Sequence, residues 1–174
     1  ARGSDSQVYD GMDTGTNKNV MIKIRRARNS NECPVDSMEV SMHIRCLCEF
    51  VPQLFGVYQS PTLAAMAMEA LGMTLRDCMR EKPTGRLSGP ELLQVAVPIF
   101  SALRFIHETC GVAHCDIHAN NIMMPNAIPM LISAINGDDT DLKTAKLIDF
   151  SRSKLLSDGG LCNVAADTYT ISFS

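Results

Sequence analysis

The chain has 174 residues, of which 45% are hydrophobic, and its formal charge at pH 7 is −3. This length and composition predict one folded domain with a sizeable core, and they exclude a largely disordered chain. The slight acidic excess offers no basic surface for nucleic acid or anionic lipid, so neither a nucleic acid nor a membrane is expected as a partner.

The number and spacing of the cysteines and the distribution of apolar residues indicate the cellular compartment in which the protein folds. The seven cysteines are odd in number and form no CxxC pair, which favours reduced thiols over the disulfide framework of a small secreted fold. The first residues contain no apolar signal segment, and no apolar stretch approaches the roughly 18 residues of a membrane span. A cytoplasmic or nuclear protein is therefore expected.

The first part of the chain is predicted to be strand-rich with one helix. Residues 8–26 place the turn TGTNK between two β-forming runs and predict a hairpin whose second strand spans 19–25. Apolar residues at helical spacing predict a helix over 35–50, which ends before Pro52. Residues 53–58 and 62–70 predict a second hairpin, although the Ala and Met content of 62–70 would also suit a helix.

The chain becomes helical near Gly72, without a Pro-, Gly- or Ser-rich linker. Thr74 begins a short helix that Asp77 is placed to cap. A stronger signal for the start of a helix lies at Ser88, which forms an S-x-x-E capping box with Glu91. It predicts a helix over 89–109. This change of character predicts two lobes, with a ligand in the cleft between them.

Three polar side chains follow the long helix. Residues 114–124 read HCDIHANNIMM and place Asp116 and Asn121 in a polar turn between apolar segments, and KLIDFSRS adds Asp149 after a predicted strand at 146–148. Carboxylate and amide oxygens suit Mg²⁺, and a carboxylate can accept the proton of an attacking hydroxyl group. The spacing therefore indicates Mg²⁺-dependent phosphoryl transfer.

These residues resemble the motifs of protein kinases of the eukaryotic type, in the order that the family has them. His114, Asp116 and Asn121 match the catalytic-loop pattern H-x-D-x-x-x-x-N, and DFS at 149–151 resembles D-F-G. The stretch VMIKI resembles V-A-I-K with Lys23 in the lysine position, and AMEALG resembles the hinge.

The resemblance implies an α+β, two-lobed fold. Residues 1–71 would form an N-lobe with a small antiparallel sheet and one helix, and residues 72–174 part of a mainly helical C-lobe. ATP and Mg²⁺ would bind in the cleft, and a protein hydroxyl group, of Ser or Thr in the favoured interpretation, would receive the γ-phosphate. The identity of the substrate, a Tyr preference and the oligomeric state stay open.

The resemblance also implies the roles of the catalytic residues. Asp116 would be the base, and Asn121 and Asp149 would hold Mg²⁺. Lys23 would contact the α and β phosphates, with Glu39 as its preferred partner; Glu32 and Glu49 are the other candidates for that pairing.

The remaining implied contacts are to the nucleotide. The main chain of Glu69 and Leu71 would pair with the adenine edge, and Met68 would guard the pocket behind it. Ala1, Gly3 and Ser6 before Val8 resemble a degenerate Gly-rich loop in which only Gly3 is retained. Gly3 and Val8 are accordingly expected to contact the nucleotide.

The sequence departs from the family pattern at several positions. Cys115 replaces an Arg that reads an activation-loop phosphate, Ser151 replaces Gly, and His118 stands where most kinases acting on Ser or Thr have Lys. The segment between Asn121 and Asp149 is long and has an acidic tip. A long loop, the Ser and the missing Lys resemble divergent kinases of large DNA viruses, such as herpes-type viruses, which would act in a host cell.

Where the sequence stops also departs from the pattern. It ends at Ser174, before any A-P-E motif, which predicts a truncated catalytic domain whose lower lobe exposes apolar surface.

Two other functions and several simpler explanations stay open. The first alternative is a small-molecule kinase, because aminoglycoside and choline kinase-like enzymes share the residues that match Asp116, Asn121 and Asp149 and often have His where His118 stands. The second is a pseudokinase-like module that would bind nucleotide without turnover. Lys23 could instead snorkel to solvent, Glu39 could be a solvated helix charge, and the polar residues of the loops could serve as turns or caps.

Overall fold

The computed structural model describes residues 6–26, 37–124 and 144–156. Gly3, Glu32, the long segment between residues 125 and 143 and the chain after residue 156 lie outside the described residues, and so do the predictions that fall on them.

A four-stranded antiparallel sheet forms the first part of the molecule. Its strands are β1 (Ser6–Asp13), β2 (Lys18–Arg26), β3 (Leu54–Gln59) and β4 (Leu63–Glu69), and they lie in the order β1-β2-β4-β3. Both predicted hairpins are thereby confirmed, and the segment that could have been a helix is strand β4. At the first turn Asn17 takes a left-handed φ of 55°, which Asn tolerates better than most residues.

The helix α1 (Ser37–Arg45) follows the second strand and is shorter than predicted. The periodic pattern continues to Phe50, but the backbone leaves the helix after Arg45. Pro52 disfavours helical geometry at the residue before it, and burial of Val51, which is 1% exposed, draws the chain inward. The predicted end at residue 50 is therefore wrong by five residues.

The second part of the molecule contains the helices α2 (Leu75–Arg80) and α3 (Gly89–Glu108). The N-cap of α2 is Thr74, whose hydroxyl oxygen accepts from the Asp77 amide at 3.1 Å, so Thr74 rather than Asp77 is the cap. The predicted capping box of α3 is present, because the Ser88 side chain accepts from the Glu91 amide and a Glu91 carboxylate oxygen accepts from the Ser88 amide at 2.8 Å.

Helix α3 has one face in the core and one face in solvent. Val95, Ile99 and Ile106 are buried, whereas Leu93 and Phe100 are 63% and 58% exposed. This face of α3 is therefore apolar and exposed to solvent. By length and composition alone α3 could also cross a membrane, so the expectation that no segment qualifies was too strict.

Three very short antiparallel pairings assemble the chain that follows α3. Strand β5 (Val112–Ala113) pairs with β8 (Lys154–Leu155), β6 (Ile122–Met123) pairs with β7 (Lys146–Leu147), and an isolated bridge joins Thr74 to Met123. Together they bring the 114–121 loop against the residues after β7, which positions the candidate site.

Candidate active site

Lys23, Glu39 and Asp149 meet in one cluster although they are far apart in sequence. The Lys23 Nζ atom lies 2.5 Å from Glu39 Oε1 and 2.8 Å from Asp149 Oδ1. Lys23 comes from the middle of β2, and Glu39 from the first turn of α1. The predicted pairing with Glu39 rather than Glu49 is confirmed.

Burial and charge compete in this cluster. The side chains of Lys23 and Glu39 are only 14% and 11% exposed. Burial by itself lowers the pKa of Lys23, but the two carboxylates outweigh it and hold that pKa above its usual value. Burial likewise raises the pKa of Asp149, and the ammonium group of Lys23 with the Ser151 hydrogen bonds holds it below its usual value. All the pKa shifts that are resolved here favour the charged forms.

Asp149 occupies a strained position between β7 and a short 3₁₀ turn, Phe150–Arg152. Its φ is 66°, in the left-handed region that Asp enters more readily than most residues. One carboxylate oxygen accepts from the Ser151 amide at 3.3 Å as well as from Lys23. The turn therefore fixes the side chain, which is 27% exposed.

Asp116 and Asn121 form a second cluster in the loop between β5 and β6. The Asn121 Nδ2 atom donates to the main-chain oxygen of Asp116 at 3.0 Å and to Asp116 Oδ2 at 3.2 Å. Because the amide nitrogen is used in this way, the amide oxygen of Asn121 is the atom left for a ligand. The Ile148 amide donates to the Asn121 main-chain oxygen at 3.0 Å, so this loop and Asp149 are adjacent.

Two basic side chains also approach Asp116. The Arg152 Nη1 atom lies 3.1 Å from Asp116 Oδ1, and the His118 Nε2 atom lies 3.6 Å from Asp116 Oδ2. Sequence reasoning left His118 undecided and did not single out Arg152.

Phe150 is packed between two histidines in the core. Its ring centroid is 5.0 Å from that of His114 and 5.6 Å from that of His43, both in edge-on geometry. Burial lowers the pKa of His43, so the ring is neutral and its Nε2 donates to the Pro52 carbonyl at 2.8 Å. His43 lies one turn after Glu39, and that spacing is the signal by which it could have been found.

The predicted hinge residues lie at the end of β4 and just after it. The main-chain amide of Glu69 donates to the Gln53 carbonyl at 2.9 Å, and its side chain accepts from Lys146 Nζ at 2.7 Å. Within the described part of the chain no hydrogen bond uses the Leu71 amide, which leaves it available to a ligand.

The strand register places the other nucleotide-contact candidates beside Lys23. Val8 is directly opposite Lys23 across β1 and β2, and directly opposite residues share a face of the sheet. Met68 is opposite Met21, two residues from Lys23 and on the same face. Val8 is 52% exposed, so its side chain can cover a ligand.

The donor set fits a hard cation that also binds phosphate. Asp149 and Asn121 offer carboxylate and amide oxygens, which Mg²⁺ prefers. In residues 6–26, 37–124 and 144–156 there is no group of three or more His, Cys, Asp or Glu side chains that could hold a metal ion alone. A Mg²⁺ ion here would complete its coordination with water and with phosphate oxygens.

Comparison with known proteins gives one family. The family model described as protein kinase domain matches residues 1–172. The serine/threonine-protein kinase spk-1 of Caenorhabditis briggsae is 26% identical over 133 residues, which cover 70% of this chain and 12% of that protein. The human dual specificity mitogen-activated protein kinase kinase 7 is 27% identical over 124 residues, which cover 70% and 29% respectively. The chain thus spans less than a third of the length of these relatives.

Proposed function

Because this chain belongs to the protein kinase family, we propose that it transfers the γ-phosphate of ATP to Ser or Thr hydroxyl groups of proteins, with Mg²⁺ in the cleft. The division into an N-lobe over residues 1–71 and a C-lobe over residues 72–174 is part of this proposal. The observation that carries it is the adjacency of two polar clusters. The ammonium group of Lys23 binds Asp149, and the amide of Asn121 binds Asp116, while the Asn121 main-chain oxygen accepts from the Ile148 amide next to Asp149.

The inner end of the proposed site binds the nucleotide. The main chain of Glu69 and Leu71 would hydrogen-bond the adenine edge, with Met68 behind it and Val8 and Gly3 over it. Lys23, held in place by Glu39, would contact the α and β phosphates. A Lys paired in this way keeps its charge and direction, which is what electrostatic stabilisation of phosphate requires.

The outer end of the proposed site performs the transfer. Asp116 would orient the acceptor hydroxyl and accept its proton, and Asn121 keeps the Asp116 carboxylate in place through Nδ2. Asp149 and the amide oxygen of Asn121 would hold Mg²⁺, which when bound neutralises phosphate charge.

Two finer assignments belong to this proposal. The names of the relatives favour a protein substrate over an amino-alcohol or a sugar. The viral subgroup rests on the long segment, Ser151 and His118 alone and stays a prediction.

The test is transfer of label from [γ-³²P]ATP, with Mg²⁺, to two panels. One contains casein, histone and myelin basic protein, and the other contains choline, ethanolamine and aminoglycosides. We expect label on Ser or Thr of proteins, lowered about 10²- to 10⁴-fold in Asp116→Asn, the range typical of a lost general base. Glu108→Gln makes the same chemical change on an exposed carboxylate of α3 and is the matched control.

The other outcomes discriminate between functions. Label found only on the amino-alcohols or sugars would identify a small-molecule kinase. Binding of a fluorescent ATP analogue, without transfer to either panel and with no effect of Asp116→Asn, would identify a nucleotide-binding module.

A further inference from the structure

Arg152 makes a contact that the roles assigned so far do not explain. Its Nη1 atom lies 3.1 Å from Asp116 Oδ1, 36 residues away in sequence. The Arg152 side chain is 69% exposed, whereas Asp116 is 17% exposed. Among the described residues it is the one Lys or Arg within 4 Å of the Asp116 carboxylate.

The backbone that carries Arg152 is well anchored. Phe150, two residues before it, is 1% exposed, and the Ser153 amide closes the turn on the Phe150 carbonyl at 3.1 Å. The Ser153 hydroxyl also donates to the His114 carbonyl at 3.3 Å, which ties the turn to the loop of Asp116. A fixed backbone with an exposed head group lets the guanidinium move by rotation of its own side chain.

Stability does not account for this contact. An ion pair with one largely exposed partner contributes about 0–1 kcal/mol. The pair also sets a permanent cation against the group that is to receive a proton. The position of the Arg152 guanidinium points to a role in the reaction instead. An acceptor hydroxyl bound to Asp116 must lie next to the phosphoryl group that it attacks, so a cation beside Asp116 is also near that group.

The two ends of the proposed phosphate site differ in their cations. Lys23 is held between Glu39 and Asp149 at the inner end, where it serves the α and β phosphates. At the outer end the described residues offer Arg152 and the imidazole of His118, whose Nε2 is 3.6 Å from Asp116 Oδ2. Negative charge on the γ-phosphoryl oxygens during transfer is well matched by a planar guanidinium, which can donate to two oxygens at once.

We propose that Arg152 is a catalytic residue that leaves Asp116 when substrates bind and donates to the γ-phosphoryl oxygens during transfer. The inference rests on the proposed phosphotransferase function. In the step, a bond forms between the acceptor oxygen and the γ-phosphorus while the bond to the β–γ bridging oxygen breaks. The hydroxyl proton passes to Asp116, ADP is the leaving group, and Arg152 exchanges no proton.

The test compares three variants of the whole chain. Arg152→Gln keeps hydrogen-bonding ability and removes the charge, and Arg152→Lys keeps the charge. Arg104→Gln makes the same loss of charge at an α3 arginine that is 79% exposed and paired with Glu108, and it is the matched control. The measurements are kcat, the KM for ATP, and the affinities for Mg²⁺·ADP with and without aluminium fluoride, which mimics the phosphoryl group in transfer.

We expect Arg152→Gln to lower kcat about 10²- to 10³-fold, as loss of a charge-stabilising donor does, with the KM for ATP within about threefold of wild type. The same variant should weaken binding of the aluminium fluoride complex and leave ADP binding unchanged. Arg152→Lys should restore part of kcat, and Arg104→Gln should behave as wild type.

A rescue experiment separates catalysis from a structural role. In the Arg152→Gln background, His118→Lys places a new cation beside the other Asp116 oxygen, and it should raise kcat at least about tenfold if the missing charge is the defect. Equal or higher kcat in Arg152→Gln alone would overturn the inference, because Arg152 would then be a bystander or a restraint on Asp116. Absence of transfer by the wild-type chain would instead contradict the proposed function itself.

Discussion

Replacing Lys23 by Met would leave two partly buried carboxylates facing each other. Glu39 Oε1 and Asp149 Oδ1 lie 2.5 and 2.8 Å from the same nitrogen atom. The two oxygens are therefore at most about 5.3 Å apart, the sum of these distances, and at an effective dielectric constant of about 20 two such charges repel by about 3 kcal/mol. Loss of one partner from a buried ion pair costs about 3–5 kcal/mol in general, so the repulsion worked out from the distances lies within the general range.

The contribution of this cluster to stability should depend on pH in both proteins. Falling pH weakens the wild-type cluster, whereas it relieves the repulsion in Lys23→Met. In wild type the pKa of Asp149 is lowered, so its stabilisation is complete above the unfolded value of about 3.9 and is lost as the pH falls through the lower folded value. In Lys23→Met the repulsion raises the folded pKa of one carboxylate. Its protonated form is then favoured in the fold, and the loss of stability shrinks as the pH falls from about 7 to about 5.

The assay is urea unfolding of both proteins with EDTA present, at pH 7.5, 6.5 and 5.5. Lys82→Met is the matched control, because Lys82 forms a comparably exposed ion pair with Glu91, at 2.5 Å, but its loss leaves one carboxylate. We expect a loss of about 3–5 kcal/mol for Lys23→Met at pH 7.5, against about 1 kcal/mol or less for the control. Losses of unfolding free energy that are equal in the two variants and independent of pH would contradict the interaction of Lys23 with both Glu39 and Asp149.

Three further predictions concern residues around the site. His43→Gln should remove part of the acid sensitivity of unfolding, because the lowered pKa of His43 gives stability that is full above about 6.5 and declines below it; an unchanged slope between pH 7.5 and 5.5 would contradict this. Burial, with Cys110 beside it, raises the pKa of Cys46 to about 12, so iodoacetamide at pH 8 should label Cys46 only after unfolding in urea, as read by peptide mass spectrometry; prompt labelling of the native chain would be inconsistent with that burial. Ser88→Ala should cost about 1 kcal/mol of unfolding free energy, since the Ser88 side chain that accepts from the Glu91 amide in the α3 capping box is lost; a change below the error of urea titration would contradict this role.

Local patterns were sufficient to predict much of the fold. The hairpins follow from β-forming runs separated by turn residues, and α3 follows from its capping box and apolar stripe, because each signal lies within a few residues of the element that it specifies. The partner of Lys23 needed more than a local pattern. Family resemblance and chain length singled out Glu39, and the structure places its carboxylate on Lys23 Nζ.

The remaining features depend on tertiary contacts that no local pattern carries. Helix α1 stops at Arg45 and the chain then turns to bury Val51 and Pro52, which the periodicity of the helix does not reveal. Arg152 reaches Asp116 through pairings of strands only two residues long, too short to be recognised from alternation. His43 packs on Phe150 across more than 100 residues of sequence, and its pKa is lowered chiefly by burial, with a smaller contribution from the charge of Lys23.

The most direct measurement of the central claim is a crystal structure of the chain with Mn²⁺ and a non-hydrolysable ATP analogue, with anomalous data for the metal. We predict a manganese peak in contact with Asp149 and the Asn121 amide oxygen, Lys23 Nζ within hydrogen-bonding distance of the α or β phosphate, and the γ-phosphate next to Asp116. A nucleotide bound elsewhere, or a metal peak away from both Asp149 and Asn121, would contradict the account.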